Sequence, residues 1–340
     1  MQKKIIALAI AAAFAAPVAM ADTANVNIYG TIDAGLRSDS ATGNRLTTFG
    51  SGSFNANRWG IKGSEDLGDG MKAFWGLESN FSTSTGQAGG GSSAQGVPTG
   101  TGNPLFDRNA TVGVSSGANA IELGRQRIVA HKLKAAIDPL AAKFRSQSNF
   151  NTSYSTANRL NNLVSYTGSF GDVKVMADRD IPASGVNDLA TTSLGAVYAS
   201  GPINVTAAVS RTDAAGEILS PTAYYLVGGS YSFGDAKVAA NISQNKVATT
   251  VAVDTVTKNQ SVGGSYNVSP KIAVLAGFYR TVNNTTVTQD TTTSRLIVAA
   301  TYALSKRTTA YANLDKRSVN PPLGNTISSK GGSLGLATTF

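Results

Sequence analysis

Cysteine is absent from the 340 residues, histidine occurs once, as His131, and only 14% of the side chains carry charge. Without thiols there is no disulfide framework to stabilise an exported fold, and a zinc site built from cysteine and histidine clusters is excluded. Serine–histidine chemistry would have to rest on His131 alone, so no enzyme is expected and no cofactor is implied. Long apolar runs are also missing. The longest, residues 5–16, follows Lys3 and Lys4 and falls short of the roughly 20 residues with which a helix crosses a bilayer. With Ala19-Met20-Ala21 behind it, the run has the layout of a secretory signal peptide. Residues 1–21 are therefore predicted to be a signal peptide and 22–340 the mature unit. Basic residues outnumber acidic ones, 29 to 20, but they are scattered and lack a recognition motif, so no nucleic acid partner is expected.

What the chain does have is alternation. In the stretch 264–278, Tyr266, Val268, Ile272, Val274, Ala276 and Phe278 fall on one face around Ser269-Pro270, the pattern of a hairpin with one apolar side. The pattern recurs, with tight turns expected at 65–70, 116–119, 170–172, 199–202, 233–235, 268–271 and 304–306. Between these hairpins the connections are long and polar: 38–54, 82–105, 128–158, 179–190, 212–221, 245–257, 282–293 and 316–329. A first strand, 26–37, and a last, 332–340, remain to pair with each other. The expectation is an all-β fold, a 16-stranded antiparallel transmembrane β-barrel, with short turns at one end and long loops at the other. A soluble sandwich would mix loop lengths and leave edge strands to protect.

Aromatic placement tests this independently. Tyr166, Tyr198, Tyr231, Tyr266 and Tyr302 each precede a short turn and share a face with Val164, Ala196, Val227, Val262 and Val298, as an interfacial belt in outer-membrane lipid requires. Asn161, Ser165, Lys237, Asn241, Arg295 and Thr301 fall on the opposite face and would line water. Gly89-Gly90-Gly91 lacks the following lysine and the strand-to-helix setting of a phosphate loop. Asp66-Leu67-Gly68-Asp69-Gly70 lacks the spacing of a calcium loop and reads as a turn.

The run Arg58-Trp59-Gly60-Ile61-Lys62-Gly63-Ser64-Glu65-Asp66-Leu67-Gly68-Asp69-Gly70-Met71-Lys72-Ala73, continuing to Leu77-Glu78-Ser79, closely resembles the second hairpin of Gram-negative general porins, especially their betaproteobacterial branch. Val26-Asn27-Ile28-Tyr29-Gly30, Leu123-Gly124-Arg125-Gln126 and Arg159-Leu160-Asn161-Asn162 resemble the same family. The resemblance implies an outer-membrane homotrimer passing small solutes and ions, with the third long loop, 128–158, folded inward to narrow each pore. It implies that the loop 82–105 latches onto a neighbouring subunit. It also assigns Arg58, Arg108 and Arg159 to the pore wall, although Arg108 runs in phase with the apolar Ala110, Val112 and Val114. Phe340 would be the C-terminal residue read by the barrel-assembly machinery.

In that family the inward loop carries acidic residues opposite the wall arginines, and here the sequence departs. Residues 128–158 hold His131, Lys132, Lys134, Lys143 and Arg145 against one carboxylate, Asp138. A constriction positive on both sides is expected to favour anions. Two other readings stay open at this stage: a plugged barrel serving as adhesin or structural protein, and a substrate-specific anion porin.

Overall fold

The structure, a computed structural model, describes residues 25–41, 44–89, 104–144, 158–181, 190–213, 222–247, 254–284 and 290–340. The predicted signal peptide and Arg145 lie outside the described residues. In chain order the strands are β1 (Asn25–Ala41), β2 (Asn44–Ser51), β3 (Arg58–Gly68), β4 (Met71–Asn80), β5 (Asn109–Ser116) and β6 (Asn119–Arg127). A helix, α1 (Val129–Ala136), then precedes β7 (Arg159–Phe170), β8 (Val173–Asp180), β9 (Thr191–Ser200), β10 (Ile203–Thr212) and β11 (Thr222–Phe233). The chain ends with β12 (Ala236–Val247), β13 (Thr255–Ser269), β14 (Ile272–Asn284), β15 (Asp290–Ala303), β16 (Thr308–Asn320) and β17 (Ile327–Thr339).

Except for β2 and β3, each strand pairs antiparallel with its sequence neighbour, and β17 returns to β1 through Thr31↔Thr339 to Ala41↔Ser329. β2 and β3 both pair with β1, one above the other. They are two halves of one crossing, so the sheet is a closed barrel of 16 strands. The residues between them, 52–57, leave the ladder and are held by Asp33, whose carboxylate accepts the N–H of Phe54 at 2.7 Å and of Asn55 at 2.6 Å. Closure leaves no open edge for another chain to pair with.

Three of the connections expected to be long loops are largely strand. Most of 38–54 continues β1 into β2, most of 282–293 belongs to β14 and β15, and most of 316–329 belongs to β16 and β17. Serine, threonine and asparagine satisfy a ladder as well as apolar residues do, so polarity alone misplaces these ends. The short turns stand near their expected positions. Gly171 and Gly201, with φ of 58° and 53°, open two-residue hairpin loops, a turn class whose first central residue needs the left-handed region that glycine enters without strain.

Alternation sorts the wall into two faces. Val164, Val205, Val227, Val262, Val298 and Leu336 are exposed, as are Tyr198, Tyr231, Tyr266 and Tyr302 near the short turns. The alternate positions, among them Ser165, Thr206, Asn241, Ser261 and Asn313, are buried and polar. An apolar exterior over a polar interior inverts a soluble protein and fits lipid outside and water inside.

The segment 128–144 packs on the wall positions that do not face outward. α1 and its flanks bury Ile128, Val129, Leu133 and Ile137 against Leu160, Leu163, Ala208, Tyr224 and Leu226. A Cβ at Gly195 would overlap Leu133, so glycine there admits the helix. Further along, Asn241 Nδ2 donates to Ile137 O at 3.1 Å and Tyr279 Oη to Asp138 Oδ1 at 3.3 Å. Leu140 and Phe144 then join Phe54, Ile297 and Tyr311 in a second cluster. Phe54 stacks on Tyr311 with ring centres 5.1 Å apart and meets Phe144 edge-on at 4.9 Å.

Candidate functional site

Among the described residues, the segment 128–144 thus follows the wall from β6 and β7 round to β17 and the 52–57 break, and does not cover the sector from β3 to β5. That sector is where the arginines gather. Arg58, at the start of β3, approaches Glu78 of β4 at 3.7 Å, and Arg108 reaches the same carboxylate at 2.5 Å. Tyr29 Oη donates to Glu78 at 3.1 Å. Arg108 escapes the apolar phase expected for it because it precedes the first residue of β5, where alternation does not yet apply. Its N–H is bonded to Glu78 O at 3.1 Å and its guanidinium turns to the Glu78 side chain.

Arg159 stands directly across the ladder from Arg127. Like charges facing each other in a sheet are destabilising, so this pairing needs a compensating reason. Arg127 and Glu78 were not singled out by sequence reasoning. Simple alternation from Leu123, which is exposed, would send Arg125 and Arg127 outward, but the register shifts between Gly124 and Gln126, and Asn162 opposite takes φ 55°. The signal was there: an isolated glycine within a strand, Gly124 with φ 120°, marks a bulge. Arg125 is held in the same irregular stretch by Asp107 O at 2.8 Å and Asn161 Oδ1 at 2.7 Å.

The loop residues divide by what they touch. His131 and Lys134 are buried, with 4% and 2% exposure, between helix and wall, so these two of the loop's expected cations do not meet water. Burial first, then the charges of Arg127, Lys134 and Arg159, hold the His131 imidazole well below its usual range. Burial likewise pushes the Lys134 amine well down, against the pull of Asp138. Lys132 stays partly exposed, bonded to Gln126 Oε1 at 2.7 Å, with burial the main influence lowering its pKa. Lys143 lies 4.7 Å over the Phe54 ring, a cation–π contact.

Asp138 does not face the arginines either. Its Oδ1 accepts the N–H groups of Leu140 and Ala142, both at 2.9 Å, and so shapes the loop's own turn. Ala141, Ala142 and Phe144 there adopt φ of 53°, 61° and 54°, a region that costs non-glycine residues energy and persists only where surroundings enforce it. The residues left exposed on the described part of the loop include Ala136 and Ala141. Among the described residues, the loop therefore presents small neutral side chains and the edges of two lysines, rather than a ring of cations. α1 itself has no capping side chain of its own; instead Asp178 of β8 accepts the Val129 N–H, tying helix to wall.

A closed barrel, apolar outside and polar inside, with the described part of a loop lying along its lining and a charged sector beside it, defines a β-barrel channel of an outer membrane. The chain belongs to the Gram-negative porin family, whose model matches residues 7–320, and it is an outer-membrane porin. It is similar to an outer membrane porin protein of Bordetella pertussis, 34% identical over 276 residues, spanning 70% of this chain and 68% of that protein. It is 27% identical to outer membrane porin protein 32 of Delftia acidovorans, over 92% of this chain and 89% of that one. In fold it is similar to an anion-selective porin from Comamonas acidovorans, with a TM-score of 0.79 at 22% identity, covering 94% of this chain and all of that one.

Proposed function

We propose that the channel passes small hydrophilic solutes passively, as a trimer, with a preference for anions set by Arg58, Arg108, Arg127 and Arg159. One observation carries this reading: among the described residues, the four arginines meet one carboxylate, Glu78, which forms ion pairs with Arg58 and Arg108. Fixed charge of one sign in a narrow, partly desolvated passage concentrates counter-ions and repels co-ions. The likeness to an anion-selective porin supports the sign. The trimer is supported by the fold it shares with OmpT of Vibrio cholerae, which is described in a trimer form. Lys132 and Lys143 add positive charge at the edge of the passage, the same loop's sequence carries a further cation in Arg145, and His131, Lys134 and Asp138 hold the loop in place. Export through residues 1–21 and recognition of Phe340 during assembly complete the reading. Phe340 exchanges backbone hydrogen bonds with Gly30 at 3.1 and 3.2 Å where the barrel closes.

Reversal potential under a KCl gradient in a planar bilayer tests it. The wild type is expected to be anion-selective, and Arg58, Arg127 and Arg159 changed together to Gln are expected to lose that preference. Open channels that prefer cations would overturn the electrostatic reading, and folded trimers without conductance would overturn the open pore.

A further inference from the structure

On the short-turn side of the arginines, the β3–β5 wall carries a feature that charge alone does not explain. Side chains alternate along β4, so the positions that share the inner face with Glu78 are Gly76, Phe74 and Lys72. Phe74 stands about 13 Å along the strand from Glu78, toward the turn that joins β3 to β4. Other rings on the inner face are covered: Phe54, Phe144, Tyr224, Tyr279 and Tyr311 are buried. Phe74 is only partly buried, and among the described residues it stacks on no other ring.

Two glycines shape the patch around it. Phe74 pairs across the ladder with Gly113, where a Cβ would overlap its ring, so the ring lies against the wall and keeps its other face toward the lumen. At Gly76, next in line toward the arginines, a Cβ would meet nothing closer than Asn109 Nδ2 at 3.2 Å, which leaves a notch beside the ring. Cations flank it. Lys62 pairs with Gly76, which sets it diagonally about 7–8 Å from Phe74, within reach of a long side chain. Lys72 lies two residues along β4, about 7 Å away. Both lysines are exposed, and among the described residues neither forms an ion pair. Lys62 rests over the Tyr29 ring, its Nζ 5.2 Å from the centre. The carboxylates nearby are otherwise engaged: Asp66, opposite Lys72, accepts the Gly68 N–H at 2.9 Å, and Glu122, opposite Gly113, approaches Lys132 at 4.0 Å.

We propose that Phe74 and Lys62 form a subsite for aromatic carboxylates on the lumenal wall. It rests on the anion-admitting passage proposed above and adds to it a preference for a flat ring. An aromatic acid carries its charge at the edge of its ring. Stacked offset on Phe74, with ring centres about 4.5–7 Å apart, it turns that edge to the lysine on the flank, which supplies a charge-assisted hydrogen bond. An aliphatic acid of equal charge gains the lysine without the stack, and an uncharged arene gains the stack without the lysine. The stack is expected to add about three- to tenfold in affinity. An increment of that size concentrates a solute without trapping it.

The test is blockade of the chloride current through single channels in a planar bilayer by benzoate and by cyclohexanecarboxylate, which has the same charge and a similar size but no π face. The wild type is expected to be half-blocked by benzoate at a concentration about three- to tenfold lower. Phe74→Leu is expected to remove that difference and Phe74→Tyr to keep it, while Lys62→Gln is expected to raise the half-blocking concentration of both acids together. Equal blockade of the wild type by the two acids would overturn the proposal without any variant having to fold, as would a benzoate preference undiminished in Phe74→Leu. The reversal potential in KCl keeps the two readings apart. An anion-selective wild type that treats the acids alike would overturn the subsite and leave the anion preference standing, whereas a cation-selective one that still favours benzoate would support the subsite and overturn the anion preference.

Discussion

Glu78 sits between Arg58 and Arg108 with 15% of its side chain exposed, and at this scale it governs how much of the positive charge is left for a passing ion. Glu78→Gln removes the compensating carboxylate while preserving shape. Its reversal potential is expected to move further toward the chloride limit, at some loss of thermal stability, since two arginines lose their partner. The opposite change belongs on the loop. Ala141→Asp places a carboxylate on an exposed position whose φ of 53° aspartate tolerates better than most residues. Anion preference is expected to fall severalfold, measured in the same bilayer. Each change reads one side of the passage, so a shift from one and none from the other would show which side carries the selectivity.

The element that matters is the loop 128–144, held at both ends by different means. At the far end Phe54, Phe144 and Tyr311 form an aromatic clamp. Phe144→Ala is expected to cost about 3–5 kcal/mol of that docking, seen as noisy, larger conductance steps and faster proteolysis within the loop while the barrel itself stays folded. At the near end His131 is buried neutral. Below the ordinary imidazole value of 6.5 the released loop takes up a proton that the docked loop refuses, so docking is strongest above that pH and weakens as the pH falls below it. Flicker in single-channel records is expected to increase from about pH 7 to about pH 5 and to lose much of this dependence in His131→Gln.

For the whole molecule the controlling facts are closure and solvent. The chain has no cysteine to lock it, so its persistence rests on a hydrogen-bonded ladder that runs round to itself through β1 and β17. Removing Phe340 takes away the backbone pairing with Gly30 at that seam and is expected to lower the yield of folded trimer more than the conductance of the trimers that do assemble. The electric field of the passage is likewise a property of the whole lining. Raising salt from about 0.1 M to about 1 M shortens the screening length from roughly 10 Å to 3 Å, and the anion preference is expected to shrink accordingly in reversal-potential measurements.

The sequence by itself determined the barrel, because period-two alternation, turn chemistry and the tyrosine belt are local properties repeated along the whole chain. It pointed to Arg58 and Arg159 through the hairpin and strand motifs that carry them, and it exposed the shortage of carboxylates between 128 and 158. Three things only the tertiary structure decided. The register shift at Gly124 brought Arg127 opposite Arg159, because one residue of slip reverses a side chain's face. The start of β5 turned Arg108 to Glu78, because alternation does not hold before the ladder begins. The path of the loop decided which cations are buried and which meet water: His131 and Lys134 are covered by contacts with β-strands far away in sequence, and no local pattern records what a distant wall will cover.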